Sequence, residues 1–181
     1  MADLKHPLVE DRIIEGHGTS REQWLHAFEH QPLSLLNFKK FQSKRILIVA
    51  PHPDDEILGC GGLMQQLIML NCQLVIVAVS NGTQSHPHST KYSPDQLDQI
   101  RPQESLAALQ CLDISEYVQR IALNLPDGQI HLHREHLWQE LDKLVKAEDI
   151  LICSYAQDGH PDHEAVGKTV QAFALAHDMS Y

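Results

Sequence analysis

The feature that most restricts this chain is an alternation that begins at residue 45. Arg45-Ile46-Leu47-Ile48-Val49-Ala50 is a short, unbroken apolar run, and Gln73 to Val79 is another. Such runs suit strands buried on both faces. Between them lies a segment of about 15 residues with Ile57, Met64, Leu67 and Ile68 near the 3.6-residue period of a helix. Residues 80–94, rich in Ser, His, Thr, Pro and Asn, read as a loop. The spacing then predicts a helix from about Pro94 to Leu112, which Pro102 should kink or restart. A third strand is expected from Val118 to Leu123. A turn at Pro126-Asp127-Gly128 follows, then a helix with Leu137, Leu141, Leu144 and Val145 on one face. Asp149 to Cys153 reads as the fourth strand, and a last helix starts near Asp162 and carries Val166, Val170, Phe173 and Ala174. Strands that alternate with helices predict an α/β fold: a mostly parallel sheet between helical layers, the Rossmann-like three-layer α/β/α arrangement.

Residues 1–44 lack this pattern. They read as an N-terminal extension that packs on the main domain, with one helix capped by Ser20 and Gln23 and presenting Trp24 and Phe28 on one face. Residues 45–181 form the main domain. A length of 181 residues suits one domain with a sizeable core. The formal net charge of -10 disfavours nucleic acid and anionic membrane surfaces as partners. No apolar run reaches the roughly 20 residues that span a bilayer. The start, Met1 to His6, shows no basic stretch followed by an apolar core, so no secretory signal is read there. Cys60, Cys72, Cys111 and Cys153 make no Cys-x-x-Cys pair and are expected to be buried, reduced thiols of a cytoplasmic protein.

Two segments carry candidate chemistry: Pro51-His52-Pro53-Asp54-Asp55-Glu56 and His160-Pro161-Asp162-His163. Each directly follows a predicted strand. In open α/β sheets ligands bind outside the carboxyl ends of the strands, so both belong on one rim. Backbone amides at a helix start favour the negative charge of Asp54 and Asp55. Adjacent carboxylates normally point apart, so one can hold a metal while the other faces its water. Two imidazoles and one carboxylate satisfy a catalytic zinc site that keeps an open position. The remaining acid can take a proton, and a further imidazole can steady an oxyanion. His52-x-Asp54 with a distant His163 also fits the facial triad of non-haem iron oxygenases, although the alternating helices argue against the all-β barrels that carry it.

Ile46 to Gly62, reading ILIVAPHPDDEILGCGG, resembles the signature of the LmbE-like, or PIG-L, N-acetylglucosamine deacetylases. His160 to His163 followed by Glu-Ala-Val-Gly resembles that family's second motif. Ser80-Asn81-Gly82 stands where the family usually has Thr-Asp-Gly. Arg101-x-x-Glu104 and Leu125-Pro126-Asp127-Gly128 also fit, and the likeness covers roughly residues 45–177. It implies a zinc-dependent hydrolase that removes acetate from an N-acetylated amino sugar or similar small amide, the alternative being a non-catalytic metal- or sugar-binding domain of the same fold. On the matching positions it implies His52, Asp55 and His163 as zinc ligands and Asp54 as general base. His160 would polarise the carbonyl, oriented by Asp162, and Arg101 and Asp127 would hold sugar hydroxyls. Other divalent ions also suit this ligand set. Pro102, directly after Arg101, is placed to rotate that side chain away from the site. Family members usually continue with at least one more strand and further loops, so stopping at Tyr181 is expected to thin one pocket wall and leave a sheet edge for a partner chain, such as a second copy, to cover.

Overall fold

The computed structural model describes residues 18–31 and 36–181. Readings that fall on residues 1–17 and 32–35, that of the start from Met1 to His6 among them, lie outside the described residues. Four strands, β1 (Arg45–Ala50), β2 (Gln73–Ala78), β3 (Val118–Ala122) and β4 (Ile150–Cys153), form one parallel sheet in the order β3-β2-β1-β4. Five α-helices accompany them: α1 (Arg21–His30), α2 (Asp55–Met69), α3 (Pro94–Cys111), α4 (Arg134–Leu144) and α5 (Pro161–Ala176).

Alternation along each strand builds two cores. Ile46, Ile48, Leu74 and Ile76 pack with Met64 and Leu67 of α2 and Leu109 of α3. Leu47, Val49, Val75, Val77 and Leu151 face the other way, onto Leu137 and Leu141 of α4 and Val166, Val170 and Phe173 of α5. Each fully buried Leu, Ile or Phe contributes about 1.5–3 kcal/mol of burial. The three layers expected from the sequence are therefore present, and they fix α2 and α5 on opposite faces.

Three local readings change. Pro102 does not restart the helix, because α3 runs unbroken from Pro94 to Cys111. Cys111 is exposed rather than buried, while Cys72 is buried, Cys60 and Cys153 are half-buried, and all four are free thiols. The α1 helix has the expected cap, with Gln23 N–H donating to Ser20 Oγ at 3.3 Å and Ser20 N–H donating to Gln23 Oε1 at 2.8 Å. Trp24 and Phe28 stack with centroids 5.5 Å apart. None of its residues is buried, however, and it is Phe41 that packs on the core. Among the described residues no helix is long and apolar enough to cross a membrane.

One glycine sets the position of α5. A Cβ on Gly167 would lie 2.5 Å from the Ser154 carbonyl oxygen and 2.9 Å from the Ala156 nitrogen. Both are backbone atoms of the loop after β4, so the helix must back away. Gly167→Ala is expected to cost about 1–3 kcal/mol, read as a lowered melting temperature. It should also disturb His163, whose carbonyl accepts from Ser154 Oγ at 2.8 Å.

Candidate active site

The strand order decides where a crevice can open. From β1 the chain moves outward to β2 and β3, then crosses back to place β4 on the other side of β1. The β1–β4 gap is thus the topological switch point, where neighbouring connections leave for opposite faces and a ligand can enter. The turn after β1 leads into α2 on one face, and the loop after β4 leads into α5 on the other. Asp54 is the residue preceding α2 and His160 the residue preceding α5, so both helix amino termini point their amides at this crevice.

Three side chains converge there. His52 Nδ1 and His163 Nε2 are 3.2 Å apart, His52 Nδ1 and Asp55 Oδ2 are 3.4 Å apart, and His163 Nε2 and Asp55 Oδ2 are 3.3 Å apart. Bonds of about 2.0–2.1 Å to a tetrahedral zinc put neighbouring ligand atoms about 3.3–3.4 Å apart. The three atoms therefore have the spacing of one face of such a tetrahedron. The donor set fits zinc chemically as well, being two imidazoles and one carboxylate. Asp55 and His163 also line a cavity of about 420 Å³ together with Leu58, Cys60, Leu63 and Ile152.

The two imidazoles of the triangle are held from behind. His52 Nε2 lies 3.1 Å from Asp127 Oδ1 and 3.2 Å from Asp162 Oδ2. Those carboxylates hold a ring proton on Nε2 and turn Nδ1 toward Asp55 and His163. Asp162 is fully buried and also accepts from Gly128 N–H at 2.7 Å and Ile130 N–H at 3.1 Å. Asp127 accepts from Gln84 N–H at 2.6 Å. His163 Nδ1 meets Asp158 Oδ1 at 3.2 Å. Asp158 was not singled out by sequence reasoning, and only its place in the loop just before the second motif could have pointed to it.

Electrostatics follow from this crowd of carboxylates. Burial alone would lower the His52 pKa, but its bonds to Asp127, Asp162 and Asp55 raise it to about 11. His163 is raised too, burial again being outweighed by Asp55. Burial pushes Asp55 upward, yet the two imidazoles hold it well below the usual carboxylate range. The carboxylates around the two imidazoles thus favour positive charge at this site.

Asp54 and Asp55 diverge as expected. The Asp55 carboxylate turns into the triad and accepts from His52 N–H at 2.9 Å. Asp54 has φ 127° and ψ -28° and makes no side-chain cap on its own helix. A non-glycine residue in that region costs on the order of 1–3 kcal/mol and persists only where its surroundings enforce it. Its Oδ2 accepts from Arg101 Nη2 at 2.9 Å. Burial raises the Asp54 pKa, and the Arg101 charge only partly opposes this.

Arg101 does point into the site despite Pro102. It also donates to the carbonyls of Pro53 at 2.7 Å and Gly82 at 3.3 Å. Gly82, at φ 67°, permits this approach, because a Cβ there would sit 2.2 Å from Arg101 Nη1. The guanidinium and Asp127, both expected to hold substrate, are engaged by the turn and by His52 respectively. Asp162, expected to orient His160, directs its carboxylate to His52; what reaches His160 is its backbone N–H, donated to Nδ1 at 3.2 Å. With Nδ1 accepting, a neutral His160 carries its proton on Nε2. Burial and the neighbouring His52 and His163 charges lower its pKa, which favours that neutral form. The His160 ring centroid is 4.9 Å from that of His52 and 4.8 Å from that of His163.

The family model for PIG-L, the GlcNAc-PI de-N-acetylases, matches residues 47–174. The chain belongs to the PIG-L family. It is 25% identical, over 183 aligned residues, to a 1D-myo-inositol 2-acetamido-2-deoxy-alpha-D-glucopyranoside deacetylase of Kineococcus radiotolerans, an alignment covering 82% of this chain and 50% of that protein. The chain thus spans half the length of that relative. Among solved structures, N,N'-diacetylchitobiose deacetylase from Pyrococcus horikoshii superposes with a TM-score of 0.64 at 23% identity, covering 86% of this chain and 59% of that one. The conserved protein TT1542 from Thermus thermophilus does so at 0.54 and 28% identity, covering 72% and 55%. These likenesses show the α/β fold of a PIG-L protein, not the barrel of the iron oxygenases.

Proposed function

We propose that this PIG-L protein is a zinc-dependent N-deacetylase that hydrolyses the acetamido group of an N-acetylated amino sugar or related small amide. The observation that carries the reading is the triangle of His52 Nδ1, Asp55 Oδ2 and His163 Nε2, whose edges match a zinc tetrahedron. Family membership and the deacetylase relative support the substrate class. Four free cysteines suit a reducing, cytoplasmic compartment.

A zinc ion held by these three residues would supply Lewis acidity and a water ionising near neutral pH. The chain's own groups provide the rest. Asp54 takes the proton of the attacking water; its raised pKa moves it toward the range in which a base also returns a proton. Neutral His160 donates its Nε2 proton in a hydrogen bond to the carbonyl oxygen as charge develops there. The proton held by Asp54 then goes to the departing amine, and acetate and the free amino sugar result. Asp127 and Asp162 act on His52, and Arg101 acts on Asp54, so these residues support the reacting groups more directly than they could reach sugar hydroxyls.

The test is metal content and acetate release. Protein prepared without chelator should hold close to one zinc per chain, and the zinc form should release acetate from N-acetylglucosamine derivatives. Metal-free protein that hydrolyses them equally fast would remove zinc from the reading.

A further inference from the structure

We propose that Glu56 is a positioning residue whose buried carboxylate fixes the Asp54 backbone amide in its left-handed conformation, with Ser105 fastening Glu56 to α3. The inference rests on the reading of Asp54 as general base. Sequence reasoning gives Glu56 only the modest role of an acid in a helix first turn, where it would ordinarily be solvated. In the structure it is 1% exposed.

A buried carboxylate is tolerated where hydrogen bonds replace its water. Glu56 has two such bonds, each to a part of the site. Oε2 accepts from Asp54 N–H at 3.2 Å, and Oε1 accepts from Ser105 Oγ in a short hydrogen bond. The usual helix start pairs a residue before the helix with one three positions on, each side chain accepting from the other's backbone. Here the acid sits two positions after Asp54, and Asp54 does not reciprocate. The amide of Asp54 is satisfied by Glu56, while the carboxylate of Asp54 is left out of capping and available to the site.

Helix α3 closes the clamp. Arg101 and Ser105 are four residues apart and so share one face of it. Arg101 grips the Pro53 carbonyl and the Asp54 carboxylate, and Ser105 grips Glu56 one turn further on. On β3, Arg120 keeps buried Nε and Nη2 atoms without a hydrogen-bond partner; burial lowers its pKa, and the Glu56 charge opposes that shift. The φ of 127° at Asp54 is thus bracketed on three sides: amide, preceding carbonyl and carboxylate.

The experiment uses the full zinc-loaded chain, with acetate release from N-acetylglucosamine derivatives and amide hydrogen exchange at Asp54 as separate readouts. Glu56→Ala should lower kcat about 10- to 100-fold with KM little changed and zinc content kept near one per chain. Glu56→Gln, whose amide oxygen still accepts from Asp54 N–H, should restore most of that loss. In an Asp54→Asn background Glu56→Ala should add little, because its effect passes through Asp54. The Asp54 amide should be protected in the wild type and in Glu56→Gln and exchange at least about tenfold faster in Glu56→Ala. Should Glu56→Ala not fold, Ser105→Ala provides the same comparison with a smaller loss. Multiplicative losses in the double variant, or an Asp54 amide that exchanges no faster without Glu56, overturn the proposal. If the wild type turns over no substrate, the deacetylase reading fails, and the exchange measurement alone decides whether the clamp exists.

Discussion

Replacing His163 by alanine is expected to abolish both zinc binding and turnover. His163 Nε2 is one corner of the ligand triangle, 3.2 Å from His52 Nδ1 and 3.3 Å from Asp55 Oδ2. Without it two donors remain, too few for the three protein ligands of a catalytic zinc site. Zinc content by elemental analysis should drop from near one per chain to a small fraction. Acetate release should fall more than about 1000-fold, because the Lewis acid and the ionisable water are lost together. The fold should survive, since His163 lies at the rim and the two cores lie beneath it. Added zinc should raise the melting temperature of the wild type, by linkage, and leave that of His163→Ala unmoved.

The same site predicts the direction of the pH effect on zinc affinity. With no metal bound, His52 is held protonated up to about 11. Zinc must displace that proton from Nδ1, so binding releases at least one proton throughout the neutral range. Affinity should therefore rise by at least about tenfold for each unit of pH from 6 to 8, and fall correspondingly as pH is lowered. An affinity that does not change with pH would mean that His52 is not a ligand.

Asp54→Asn should separate metal binding from chemistry. The Asp54 carboxylate takes no part in the ligand triangle and points instead at Arg101. Zinc content should be unchanged. A carboxamide cannot accept the water's proton, so kcat should fall about 100- to 10,000-fold, the range for loss of a general base, with KM little altered. The loss should appear in single-turnover kinetics, which exclude a slow release step. A variant that keeps its full rate would take the base role from Asp54.

Much of this site was legible in the sequence, for a physical reason. Parallel strands covered on both faces must be apolar, so β1, β2 and β4 stand out as short runs, whereas the edge strand β3 carries Gln119 and Arg120; the turns that leave the carboxyl ends of those runs can be located to within a residue or two. Those turns alone put His52, Asp55, His160 and His163 on one rim. The direction of individual carboxylates was not legible. Asp162 and Asp127 reach His52 because the Asp127 turn and the start of α5 fold beneath that ring, 110 residues from Asp162 and farther along the chain than any local pattern extends. Arg101 meets Asp54 although Pro102 follows it, because α3 continues through the proline despite the helix hydrogen bond that the proline removes.

The sequence by itself determined the alternation of strand and helix, the two faces of the sheet and the identity of the residues that gather at its rim, since these rest on periodicity and residue chemistry alone. The tertiary structure decided the strand order β3-β2-β1-β4, and with it the switch point between β1 and β4 where those residues meet. It also decided which acid faces the metal corner, which holds an imidazole from behind, and that Glu56, an ordinary first-turn glutamate in the sequence, is buried against Asp54. The contacts of Asp162 with His52 and of Ser105 with Glu56 join groups 110 and 49 residues apart, and only packing brings such groups within hydrogen-bonding reach.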